Sequence, residues 1–106
     1  MTKQDILDTL RDKTPAQELQ WMLALGAALT VSARGYYPIG DQSGNTALLI
    51  GFNELQHQVY GRIRHLRRGE EWTLESFVDG LMQRGHHYQI EGDLGWALKS
   101  ANSVFK

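Results

Sequence analysis

Residues 46–68 read TALLIGFNELQHQVYGRIRHLRR, and this stretch decides the fold. Leu48, Phe52, Leu55, Val59, Ile63 and Leu66 recur every three or four positions, which is the period of an α-helix and not the strict alternation of a half-buried strand. Glu54, His57, Arg62, Arg64, His65, Arg67 and Arg68 fall largely on other sides of the same helix. Thr46 suits the N-cap and Gly69, directly after two arginines, suits the C-terminal stop. A helix of this length with one apolar stripe needs other helices to cover it.

The flanking sequence supplies them. Residues 3–12 place Ile6, Leu7 and Leu10 on one stripe and predict a short surface helix. Thr14-Pro15 opens a second helix, with threonine accepting a hydrogen bond from an exposed amide and proline at the first helical position. That helix closes near Arg34-Gly35. Its Leu19, Met22, Leu23, Leu25, Leu29 and Val31 leave almost no polar side, the pattern of a helix surrounded by neighbours. Ala24, Ala28 and Ser32 form a small-residue row, read as tight packing within the chain in preference to a dimer seam.

Residues 35–45, GYYPIGDQSGN, are rich in turn formers and read as an ordered loop. Thr73 caps a fourth helix carrying Leu74, Phe77, Val78, Leu81 and Met82, expected to end at Gly85. A linker then covers residues 85–92, and Asp93 is expected to cap a last helix that docks through Leu94, Ala97, Leu98 and Ala101. The pattern predicts an all-α protein: a compact bundle of about five helices in one domain, residues 1–106, with a helical dimer as a permitted assembly.

Composition narrows the function classes. The 106 residues carry 11 basic and 12 acidic side chains, so the molecule as a whole has no strong pull toward nucleic acid or anionic lipid. Any such attraction must be local. With no cysteine, disulfides and thiolate metal sites are excluded. The apolar run 21–33 contains Thr30 and Ser32 and falls short of the roughly 20 residues of a bilayer span. The opening residues, MTKQDILDTLRDK, lack the apolar core of a secretory leader, so a cytoplasmic setting and no membrane association are expected.

Three sets of residues could carry function. Tyr36, Tyr37 and Trp96 are aromatics with an apolar body and a polar tip: the two tyrosines read first as cover for a core edge, and together with Trp96, if exposed, they would bind a protein partner, with a second copy of the chain among the candidates. Arg62, Arg64, Arg67 and Arg68, with His65, form a basic patch that would neutralise phosphates on nucleic acid, although cations at a helix C-terminus also complement its dipole. Glu54 and His57 have the i, i+3 spacing that lets two side chains reach one metal.

The metal reading lacks a second Glu-x-x-His, and Glu18 and Glu75 are expected to face solvent on other helices. His86-His87 is a weaker metal or acid/base candidate. Residues 40–46 precede a helix but lack the lysine of a phosphate-binding loop. The sequence therefore favours a non-catalytic protein working through protein–protein contact, with nucleic-acid binding and a Glu54/His57 metal enzyme as alternatives. It calls for no cofactor and no small-molecule ligand.

Overall fold

In the computed structural model, residues 1–35, 46–69 and 71–105 are described, with residues 46 and 47 by backbone alone. Among them are five α-helices, α1 (Lys3–Leu10), α2 (Pro15–Arg34), α3 (Thr46–Arg68), α4 (Leu74–His87) and α5 (Glu91–Asn102), followed by a 3₁₀ turn, Ser103–Phe105. No strand occurs among the described residues, and the all-α bundle is the observed fold. The Tyr36-Tyr37 loop, the capping role of Thr46 and Glu70 lie outside the described residues.

Local chemistry sets the helix starts. Thr2 and Thr14 each form a reciprocal capping box, Thr14 Oγ1 accepting from the Gln17 amide at 3.2 Å while Gln17 Oε1 accepts from the Thr14 amide at 2.9 Å. Thr73 Oγ1 accepts from the Ser76 amide at 3.1 Å. At the other end of α3, Gly69 takes φ 72° and its amide returns to the His65 carbonyl at 2.9 Å, as expected of a glycine stop.

Two expected boundaries are corrected. Gly85 does not end α4, which runs on to His87; the left-handed residue is Gln89, at φ 57°. Gly85 is kept small by packing, since a Cβ there would lie 2.8 Å from Leu94 Cδ2. Asp93 does not cap α5. The helix begins at Glu91, with Ile90 at the cap position and no side-chain cap, so residues 88–90 replace the longer linker.

Cross-helix contacts fix the topology. Glu18 meets Arg62 while Gly26 meets Gln56, so α2 and α3 run antiparallel. Gly61 against Trp72, Gly80 against Gln58 and Gly51 against Tyr88 set α4 and its flanks antiparallel to α3. α2 also packs along α5, α1 lies on α4, and the terminal 3₁₀ turn folds back on α2 and α5. The buried apolar side chains of all five helices form one cluster, with Trp21, Leu25, Leu55, Phe77, Leu81 and Leu98 fully enclosed. Trp21 donates from Nε1 to Asn102 Oδ1 at 2.8 Å, so its one polar atom is satisfied within the core. Ala28 is buried and Ala24 is packed against the cluster, which puts these two members of the small-residue row against the chain's own core.

Helix α2 is not surrounded on all sides, however. Leu23 is 48% and Val31 is 56% exposed, which corrects the expectation of a fully covered helix.

Candidate functional site

Arg62 lies inside the molecule. It is 7% exposed and Glu18 is 5% exposed; Arg62 Nε donates to Glu18 Oε2 at 2.6 Å and Nη2 donates to Oε1 at 2.9 Å. Its Nη1 donates to the carbonyl of Trp72. The guanidinium fork therefore clamps α2, α3 and the entry to α4 at one point. Arg62 is removed from the basic patch, and Glu18 is buried where solvent exposure was expected. The sequence held a signal for this: Glu18 precedes Met22, Leu25 and Leu29 at core spacing, and Arg62 follows Leu55 and Val59 in the same way.

His65 also turns inward, its Nδ1 accepting from the Trp72 amide at 3.2 Å. Trp72 lies flat enough on α3 that any side chain at Gly61 would overlap its ring, and it stacks edge-on to Phe77 with centroids 6.1 Å apart. The inward half of the expected patch thus anchors the α3–α4 connection. Arg64, Arg67 and Arg68 remain exposed, and among the described residues no ion pair engages them.

These three arginines share the outer face of α3 with Asn53, His57 and Tyr60, which are spaced three or four apart and all exposed. Beside them, α2 exposes Leu23, Ala27, Thr30, Val31 and Arg34. Tyr60, 56% exposed, stands between two hollows. One, of about 200 Å³, is lined by Leu23, Gly26, Ala27, Thr30, Val59 and Ile63 as well as Tyr60. The other, of about 360 Å³, adds Arg34, Phe52, Asn53 and Gln56.

The charge on this face is one-sided. Helices α2 and α3 contain five arginines but only two glutamates. Glu18 is buried against Arg62, and Glu54 turns to α4, where it pairs with Arg84 at 3.4 Å. The exposed face of α2 and α3 consequently presents cations and apolar groups with no carboxylate of either helix on it.

Glu54 and His57 are separated by this arrangement. Glu54 lines a cleft of about 290 Å³ with Gln83, Arg84, His87 and Tyr88, whereas His57 lines a hollow with Asn53, Gln56 and Tyr60. His87 stacks edge-on to Tyr88 at 4.7 Å, and His86 Nδ1 lies 3.1 Å from Glu91 Oε1. The adjacent histidines thus engage different neighbours. Among the described residues, no three metal-ligating side chains stand together, and the Glu54 cleft holds an ion pair that already satisfies its carboxylate in part.

Trp96 is 48% exposed on α5. Tyr36 and Tyr37 cannot be placed beside it, since they lie outside the described residues. The sequence reading missed Leu23 and Val31 as surface residues because an all-apolar helix hides which of its sides is left open, and Tyr60 because an aromatic ring suits a core rim as well as a surface. Among the described residues, no helix is long and apolar enough to cross a membrane. No family model, curated protein or solved structure matches this chain at a significant level.

Proposed function

We propose that this chain is a small non-catalytic helical protein that works in the cytoplasm through contact with another protein, using the open face of α2 and α3. The observation that carries the reading is the trio Leu23, Val31 and Tyr60, each about half exposed or more, with Leu23 and Tyr60 on the rim of a concave, partly apolar groove. Large apolar side chains around a hollow supply the desolvated centre that protein interfaces need, and tyrosine is among the residues that dominate such centres. Trp96 offers a second anchor of the same kind on α5. A second copy of the chain is one candidate partner.

Site-specific photo-cross-linking in cells tests this. A photoreactive side chain at Leu23 or Tyr60 should give discrete protein adducts, and one at Asp8, on α1, should not. Equal labelling from all three positions would sink the proposal. Light scattering of the pure chain over a range of concentrations reports the self-pairing arm separately, a strict monomer at high micromolar concentration removing it.

A nucleic-acid reading keeps one specific support, the exposed Arg64, Arg67 and Arg68, which make no ion pair among the described residues and share their face with no carboxylate of α2 or α3. Retention of DNA or RNA that falls steeply with salt and disappears in Arg64→Ala/Arg67→Ala would favour it over protein contact.

A further inference from the structure

We infer that the α2/α3 face is a docking groove for an amphipathic helix whose apolar stripe is flanked by carboxylates at both ends. This inference rests on the protein-contact reading and names the chemistry of the partner. Three observations carry it: the groove has a partly apolar middle, its two ends are cationic, and among the described residues neither helix places a carboxylate on this face, Glu18 being buried and Glu54 turned to α4.

The middle is built from Leu23, Ala27 and Tyr60 with the uncharged Thr30 and Gln56, and the two hollows share Tyr60 and Thr30 as walls. An aliphatic side chain set into the hollow beside Leu23, with a neighbouring partner side chain in the other, would cover the exposed ring of Tyr60. At one end Arg34 lies with Phe52 and Asn53, and at the other α3 exposes Arg64 and Arg67. Phe52 to Arg64 spans about 18 Å of helix. A partner helix of about three turns therefore reaches from one cationic end to the other, with carboxylates near its termini and leucine-like residues between them.

Charge separates this occupant from the alternatives. A second copy paired through the same face would bring Arg34, Arg64 and Arg67 against their own kind, with no carboxylate of the described α2 and α3 residues on that face to receive them. A nucleic acid presents phosphates along its whole length, yet between the two cationic ends the groove is lined by Leu23, Ala27, Tyr60 and the uncharged Thr30 and Gln56, with no cation. A flat anionic membrane would meet the arginines but would not fill two concave hollows about a tyrosine. The cations at the ends fix register and raise the encounter rate, while the apolar centre supplies affinity.

The test selects binders from a displayed library of 14-residue helices with a fixed leucine stripe and flanking positions randomised among Glu, Gln and Lys. Sequences that also bind Leu23→Asp/Tyr60→Ser protein are discarded, and circular dichroism verifies that this variant stays helical. Glutamate should be enriched at both ends. The selected peptide, measured by fluorescence anisotropy, should bind at least about tenfold tighter than its all-glutamine version. Reversing the protein charges with Arg34→Glu/Arg64→Glu/Arg67→Glu should transfer preference to the lysine-flanked peptide.

Equal affinity for the Glu, Gln and Lys peptides would overturn the inference and leave protein contact standing. Self-association blocked by Leu23→Asp, with no peptide selected, would do the same. Oligonucleotide binding through Arg64 and Arg67, or binding to anionic lipid vesicles lost in Leu23→Asp, with no peptide selected, would overturn both.

Discussion

Arg62 holds both carboxylate oxygens of Glu18 across the α2–α3 interface and, with its remaining nitrogen, the carbonyl of Trp72. A buried ion pair is mostly repaid desolvation, so its net contribution is small while the loss of one member is severe. Glu18→Ala or Arg62→Ala should lower unfolding stability by about 3–5 kcal/mol in chemical denaturation. Glu18→Leu/Arg62→Met should recover most of that loss, less what the orphaned Trp72 carbonyl retains. A loss below about 1 kcal/mol for either single variant would mean that water reaches the pair.

Arg64→Ala/Arg67→Ala gives the contrasting result. These side chains are exposed and make no ion pair among the described residues, so stability should change by no more than about 0.5 kcal/mol. Leu23→Gln and Tyr60→Gln should be equally mild, because neither side chain belongs to the buried cluster. A large drop in melting temperature for any of them would reassign it from surface to core.

Glycine substitutions should split in sign. Gly95→Ala meets open space in the interior of α5, and should stabilise by about 1 kcal/mol through helix propensity alone. Gly61→Ala gains the same propensity but drives a methyl group into the Trp72 ring, so a net loss of about 1–3 kcal/mol is expected. Gly61→Ala should also shift tryptophan fluorescence, because Trp72 must leave its seat.

Acid should loosen α1 through Asp5. The Thr2 amide donates to the Asp5 carboxylate at 2.8 Å, and this bond, with the Thr2 hydroxyl, holds the carboxyl below its ordinary value of 3.8. A carboxyl depressed in the folded state binds fewer protons than in the unfolded chain. Its contribution is complete above the ordinary value and is lost as pH falls through the depressed one. The protection of the Asp5 and Ile6 amides, their exchange compared with that of an unstructured chain at the same pH, should therefore fall on acidification, and Asp5→Asn should flatten that dependence. An unchanged acid profile in the variant would remove Asp5 as the cause.

Much of this architecture is legible in the chain because its causes are local. Thr14-Pro15, Thr73 and Gly69 act within one turn, and the stripe through Phe52, Leu55 and Val59 follows from helical period. What escapes is set by partners far away in sequence. Gly85 resembles a helix stop, yet its smallness is needed for Leu94, and the chain turns at Gln89 instead. Arg62 resembles its exposed neighbours until Glu18, 44 positions earlier, is brought against it. The open side of α2 is hidden for a different reason: Leu23 and Leu25 are chemically alike, and only the positions of α3 and α5 decide that one is wetted and the other enclosed.

The one-signed face of α2 and α3 gives the molecule an electrical character that its formal charge of −1 conceals. Among the described residues, exposed arginines gather on one flank while α1, α4 and α5 carry their carboxylates elsewhere, some of them beside a lysine or an arginine, so the charge is unevenly spread. In dilute salt such a body turns in the field of a charged partner before contact, presenting the same flank at each encounter. It should accordingly be retarded on both cation- and anion-exchange media near neutral pH.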